Sequence, residues 1–263
     1  MNLSIYIPTL KRLDHQTTWD HLPKAAQQHT LLVCPPEEAE GHKARGRNVL
    51  VCSAKGIAPT RDAIMQHALT TRSTKFVMLD DDIISQKRRP DGRITDCTPA
   101  EVMEAFAWLE ENLNSVVHCG WATRFLGFAD PKDVAEPSRM MHCLAYNAAE
   151  LKKQGAGFAK NMPHPEQFAI DDVNMTIQLL LAGLPNRVSL VWRLRTHGSN
   201  AKGGASTWRT AAQQTANSKQ LVAAYPQVVK LRPKKAWKGM ETEEMFDVSV
   251  GWQKALKIGK GLL

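Results

Sequence analysis

Three consecutive aspartates, Asp80, Asp81 and Asp82, close the segment KFVMLDDDII (75–84), and a second acidic pair, Asp171 and Asp172, follows much later. Carboxylates crowded at the end of an apolar run repel one another and are costly without a counter-charge. A divalent cation with a bound phosphate supplies one, because hard cations take carboxylate oxygens and Mg²⁺ shares them with substrate phosphates. Alternation along extended backbone would turn Asp80 and Asp82 to one side and Asp81 to the other. The plain alternative is a solvated acidic turn. Charge at the carboxyl end of a strand, where open α/β sheets bind ligands, favours the metal.

Other residues carry chemistry by their placement. Asp171 and Asp172 stand where a helix begins, after the Gly- and Pro-rich loop GAGFAKNMPHPE (155–166). Carboxylates suit that end of a helix, so one can cap while the other faces a site. His197 follows the late strand RVSLVWRLR (187–195) in a polar loop, a position suited to metal coordination or to an ordinary structural role. Thr9, Lys11 and Arg12 occupy the loop after the first strand, where a nucleotide can be held. Arg61 falls in the first turn of a helix predicted from Pro59, where a cation opposes the macrodipole. A diphosphate or an acidic partner close by explains it.

These groups need elements to position them. Leu3–Ile7, Thr30–Cys34, Asn48–Ser53 and Phe76–Leu79 read as strands, as do 115–121, 140–146 and 187–195. Phe76–Leu79 is too short for a helix and apolar throughout, the pattern of a strand buried on both faces. Helices are predicted from Pro59, over 98–113, from Asp171 and from Ala211, with a short amphipathic one within 248–263. Thr98 caps the second of these and Pro99 takes its first turn, with Val102, Ala105, Phe106 and Leu109 as the buried stripe. Val173, Ile177, Leu180 and Leu181 form the stripe of the helix from Asp171, and Trp252, Leu256 and Ile258 that of the last. Glu37–Arg47 shows no apolar period and reads as a surface loop. Lys87–Arg93 (KRRPDGR) reads as a basic turn. Strands alternating with helices give an α/β fold with a mixed, mainly parallel central sheet flanked by helices. The His-Cys pairs at 118–119 and 142–143 cannot chelate one metal in the usual manner, since neighbours in a strand face opposite ways.

The 263 residues suffice for one large domain, and 43% hydrophobic content for a full core. A formal charge of +8 and a pI near 9.3 favour polyanionic partners or phosphorylated substrates. The five cysteines are scattered without any CxxC spacing, as in a reduced cytoplasmic protein. No apolar stretch is long enough to cross a bilayer, and the chain opens on a strand-like run with no leader, so no membrane association is expected.

The order of parts resembles the GT-A family of nucleotide-sugar glycosyltransferases from Leu3 to Arg209: a strand with a Thr/Arg loop, RDAI, a strand ending DDD, DDVNMTIQLLLAG, and a strand ending in His. The resemblance implies a catalytic domain over 1–210, with 211–263 as a helical, basic extension packed on it. It implies a nucleotide-sugar donor such as UDP-glucose and a Mn²⁺ or Mg²⁺ cofactor. Asp80–Asp82 match the family's acidic strand end, in which the first carboxylate approaches the ribose and the last binds metal. On this reading Asp80, Asp82 and His197 form the metal site. Thr9, Arg12, Asp80 and Asp81 would hold the nucleotide, with Arg61 and Lys202 clamping the diphosphate. Asp171 or Asp172 would be the acceptor base. The family usually has Glu-Asp at that helix start, so the departure leaves the choice between them open. Length, charge and the segment HGSNAKGG are similar to the phage and kinetoplastid branch that glycosylates hydroxymethylated pyrimidines in DNA. A DNA partner follows, gripped by Lys87–Arg93 and Arg232–Lys238. A protein or saccharide acceptor, or a catalytically silent DNA-binding module, are the competing readings.

Overall fold

The structure, a computed structural model, describes residues 1–71, 73–123, 126, 131–196, 209–237, 241–242 and 244–263. In chain order its first elements are β1 (Ser4–Pro8), α1 (Thr17–His21), α2 (Lys24–Gln27), β2 (Thr30–Cys34), α3 (Pro36–Lys43), β3 (Val49–Val51) and α4 (Ile57–Ala68). Next come β4 (Lys75–Leu79), β5 (Ile83–Arg88), β6 (Ile94–Asp96), α5 (Pro99–Asn112), β7 (His118–Thr123), β8 (Val134–Ala135), β9 (Cys143–Asn147) and α6 (Ala148–Gln154). The remainder is α7 (Asp171–Leu181), β10 (Asn186–Thr196), α8 (Ala211–Ala224), β11 (Val229–Lys235), β12 (Glu244–Val250) and α9 (Trp252–Gly259).

The apolar run of β4 forms the centre of a mixed sheet ordered β3-β2-β1-β4-β9-β7-β10-β5-β6, with β8 beside β10. One half, β3-β2-β1-β4, is parallel. Beyond it β9 runs antiparallel to both β4 and β7. Alternation divides the central side chains between the two faces. Ile5, Ile7, Val77 and Leu79 pack under α5, through Val102, Ala105, Phe106 and Leu109. Tyr6, Phe76 and Met78 meet α4, α7 and the C-terminal elements on the other face. The result is a three-layer α/β arrangement with the sheet sealed on both sides.

Local chemistry explains the helix ends that position the site. Thr98 and Glu101 form the reciprocal capping box at the start of α5. The N-cap of α4 is Gly56, whose φ of 88° only glycine adopts cheaply; a Cβ there would lie 2.2 Å from the carbonyl oxygen of Glu166. That close approach fixes α4 against the turn before α7. Gly259 serves α9 likewise, since a Cβ would meet the Leu180 carbonyl oxygen at 2.2 Å.

Several expectations change. Part of the segment expected as a loop at 37–47 is the helix α3: Pro36 opens it, Glu37 and Glu38 sit at its positive end and His42 and Lys43 at its negative end. Only Ala39 and His42 are buried on it, too few to show a period. Because α4 starts at Ile57, Arg61 lies in the second turn rather than the first. The chain after 210 is not purely helical: β11 and β12 pair as an antiparallel hairpin, with α8 packed beside β12. Leu221, Val229, Val248 and Leu256 join the core beneath α7.

His118, the first residue of β7, is wholly buried and stacks on Tyr146 with 6.2 Å between centroids. Nε2 lies 3.3 Å from the Leu184 carbonyl oxygen, and Nδ1 has no partner. Burial pushes its pKa down to about 4. The unfolded chain therefore takes up a proton near pH 6.5 that the fold resists, so stability is complete above that pH and falls as pH drops toward 4. The loss amounts to about 3 kcal/mol. In His118→Phe the drop in melting temperature between neutral pH and pH ~4.5 should shrink relative to wild type, since all other titrating groups are shared. An equal drop in both proteins would remove this explanation.

Candidate functional site

The strand β4 stops at Leu79, so the three aspartates lie in the turn beyond it and the expected alternation does not continue. Instead the Arg12 guanidinium bonds Asp81 and also lies 3.4 Å from Asp82. Asp80 faces a different pair of donors. Its Oδ1 accepts from Arg61 Nη2 at 2.8 Å, and its Oδ2 is bonded to His142 Nδ1 at 2.6 Å.

Arg61 links the two acidic clusters. While Nη2 reaches Asp80, Nη1 donates to Asp171 Oδ2 at 2.7 Å. The guanidinium is 5% exposed and lies 6.0 Å from the Phe158 ring centroid. Phe158 belongs to the Gly-rich loop, which Asp62 holds by accepting the backbone N–H groups of Phe158 and Ala159 at 2.7 and 3.0 Å. That loop is therefore a fixed wall. Through Arg61 the two acidic groups, far apart in sequence, meet at one place beyond the carboxyl end of β4.

Electrostatics follow from this wiring. Burial alone would raise the Asp80 carboxyl, but the hydrogen bond and charge of His142, with Arg61, outweigh it and hold it well below the usual carboxylate range. Burial would also discharge Arg61, yet the charges of Asp171, Asp80 and Asp172 keep it more firmly protonated than usual. Burial raises the Asp171 carboxyl above the usual carboxylate range, while the charge of Arg61 pulls it back down. Asp81 is pushed up to about 7 by burial, against Arg12 and the Thr9 hydroxyl. Thr9 Oγ1 donates to Asp81 at 2.7 Å and itself accepts from Gln16 Nε2 at 2.6 Å. Asp82 is raised by burial and by the neighbouring charge of Asp80.

Asp171 does not cap its helix, which starts without a side-chain cap. Successive helical residues point about 100° apart, which sends Asp171 inward and leaves Asp172 on the more open side. The Asp171 side chain is 2% exposed and that of Asp172 13%. Arg139 Nη2 approaches Asp172 at 3.6 Å.

The structure thus brings Thr9, Arg12, Arg61, Asp80, Asp81, Asp82, Asp171 and Asp172 together. Arg61, expected as a diphosphate clamp, has both terminal nitrogens on protein carboxylates instead. His197 and Lys202 lie outside the described residues. His142 and Arg139 were not anticipated. The sequence places His142 inside a strand, but β9 starts one residue later and His142 has a left-handed φ of 61°, which turns its ring to Asp80. Sparsely populated backbone of this kind gathers at functional sites. The basic turn at 87–93 is neutralised locally: Lys87 and Arg89 pair with Glu101, and Arg93 pairs with Asp91.

Among the described residues no three His, Cys, Asp or Glu side chains form a ready-made metal cage. The donor set nevertheless fits a hard cation of the kind held by one or two carboxylates and completed by substrate phosphates. Asp82 fits this best, because burial and the neighbouring charge of Asp80 disfavour its charge, and Arg12 stands 3.4 Å away. A cavity of about 620 Å³ also opens at the other end of the parallel strands, between Tyr6, Thr30, Arg47 and Asn48. No carboxylate lines it; the acidic groups gather at the opposite end of the strands.

The fold is shared with solved glycosyltransferases. The mannosyltransferase PcManGT from Pyrobaculum calidifontis, solved with GDP-Man and Mn²⁺, superposes with a TM-score of 0.55 at 14% identity, over 86% of this chain and 64% of that one. Glucosyl-3-phosphoglycerate synthase from Mycobacterium tuberculosis, solved with Mg²⁺ and UDP, gives 0.50 at 10% identity, over 94% of this chain and 87% of that one. At such identities the likeness establishes the fold, which is GT-A. No curated protein matches the chain. The family model described as TET-Associated Glycosyltransferase matches residues 3–188, most of the chain. The chain belongs to the TET-associated glycosyltransferase family, and it is a glycosyltransferase of the GT-A, nucleotide-sugar type.

Proposed function

We propose that this enzyme transfers a sugar, with UDP-glucose the first donor to test, to the hydroxyl of a hydroxymethylated pyrimidine in DNA. The observation that carries it is the single Arg61 guanidinium joining Asp80, on the β4 side, to Asp171, at the start of α7. A donor held at one acidic cluster then lies beside an acceptor held at the other. The family name and the basic charge support a DNA acceptor, and the nucleotide complexes of the fold relatives support the donor class.

Asp172 is the general base. Its carboxylate is the more exposed of the two at α7, and it would take the proton of the acceptor hydroxyl. Asp171 and Arg61 are positioning residues: they hold the start of α7 against the end of β4. Asp81, oriented by Thr9 and Arg12, faces the nucleoside part of the donor. Asp82, with Asp80 beside it, would hold Mn²⁺ or Mg²⁺, and His197 is a further candidate ligand. When bound, the cation neutralises the charge that grows on the departing diphosphate. If the acceptor base lies in a duplex, it must leave the stack to reach Asp172.

Two measurements bear on this. Asp82→Asn should weaken UDP or GDP binding in the presence of Mn²⁺, measured by calorimetry, to the level that a chelator leaves in wild type; binding that Mn²⁺ strengthens as much in the variant as in wild type would take Asp82 out of the metal site. Incubating the enzyme with radiolabelled UDP-glucose and Mn²⁺ should label DNA containing 5-hydroxymethylcytosine or 5-hydroxymethyluracil, but not unmodified DNA. Transfer to saccharide or protein with none to DNA would overturn the acceptor assignment.

A further inference from the structure

Arg209, just ahead of α8, is a cation without a carboxylate partner among the described residues. It is nonetheless partly withdrawn from water: the residue is half-buried, its Nε is buried and unbonded, and burial disfavours its charge while Asp172, Asp171 and Asp80 restore part of it. A partly desolvated guanidinium with no anion in contact among the described residues is costly, which points to an anionic ligand in the working complex.

Its neighbours show where that ligand comes from. The Arg209 guanidinium carbon lies 5.4 Å from the Trp237 ring centroid, and Lys234 Nζ lies 4.9 Å from the same centroid. An indole face attracts cations, so Trp237 gathers two near one point. Lys234 and Arg232 share a single carboxylate, Asp247, at 2.9 and 3.5 Å. Further along β11, Lys230 and Lys235 are exposed, and neither has an ion pair among the described residues. Positive charge therefore runs from open surface along β11 to Arg209, within electrostatic reach of Asp172. The basic turn at 87–93, by contrast, meets its own acids.

We propose that β11, Trp237 and Arg209 form a phosphate track that guides a DNA strand to Asp172, an assignment that rests on the DNA-acceptor reading above. A small diphosphate would need Arg209 alone. A polyanion uses the whole length of the track, and each phosphate neutralised releases counterions.

The test is fluorescence anisotropy with a labelled oligonucleotide, single-stranded and duplex, between about 50 and 200 mM salt. In Lys230→Gln/Lys235→Gln, whose changes lie on exposed unpaired positions, the slope of log K against log salt should fall by about 1.4–1.8, two phosphates' worth. The melting temperature should stay at the wild-type value, and Arg93→Gln, on the neutralised turn, should keep the wild-type slope. Arg209→Gln should weaken the oligonucleotide about tenfold or more while leaving the affinity for pyrophosphate with Mn²⁺ intact. An unchanged slope in the double variant removes the track and leaves the enzymatic reading standing. Weakened pyrophosphate binding with normal DNA binding in Arg209→Gln gives this residue to the donor and overturns its place here. Wild-type protein that binds no oligonucleotide even at low salt would take down the track and the DNA acceptor together.

Discussion

Asp172→Asn should lower the rate of sugar transfer by about 10²–10⁴-fold, the usual worth of a positioned general base, with nucleotide affinity unchanged. The amide keeps the size of the carboxylate but cannot take a proton. Its neighbour should behave differently. Asp171→Asn removes the negative partner of a buried guanidinium, so it should lower the melting temperature as well as activity. The kinetic pattern separates the roles: the loss in Asp172→Asn falls on kcat, with no loss of stability. Near-wild-type kcat in Asp172→Asn would transfer the base role elsewhere.

The second large effect is expected at Arg61. Replacing it by Leu leaves the Asp171 carboxylate buried without a counter-charge and takes one of two cationic partners from Asp80. Breaking a buried ion pair from one side typically costs about 3–5 kcal/mol. For a chain of this size that is a fall on the order of 10 °C in melting temperature. Arg61→Lys should recover little, because one ammonium cannot span two carboxylates as a planar guanidinium does. The combination Arg61→Leu/Asp171→Leu should regain part of the stability, since no buried charge is stranded at α7, yet remain inactive because α7 is no longer tied to β4. Full activity in the double variant would show that the link between the clusters is dispensable.

How legible this was follows from the range over which each signal acts. The apolar strand before the three aspartates, the Thr98 cap and the stripe of α5 are local patterns, and each appears where expected. The partners of the site are not local. Arg61 meets Asp171 across 110 positions, and no periodicity carries that information. The one hint was a cation near the wrong end of a helix, which implied a diphosphate or an acidic partner without saying which residue supplied it. His142 was hidden for a related reason. Its run of apolar neighbours reads as strand, while the backbone turn that frees its ring depends on β9 pairing with β4. Which of Asp171 and Asp172 is the more exposed was not legible either, because only packing determines which of two adjacent carboxylates faces the core. The pairing within the charge run at 87–93 was hidden for the opposite reason: its acidic partners Glu101 and Asp91 are close in sequence but become partners only when the hairpin and α5 fold together.

On the proposed function both acidic clusters, joined by Arg61, serve one donor and one acceptor beyond the carboxyl end of β4. The most direct measurement is a crystal structure of the enzyme grown with Mn²⁺ and UDP or GDP. The expected result is metal on Asp82, a nucleoside beside Asp81, and a diphosphate whose sugar side faces Asp172. A nucleotide seated instead between Tyr6, Thr30 and Arg47, at the far end of the strands, with the aspartates untouched, would contradict it.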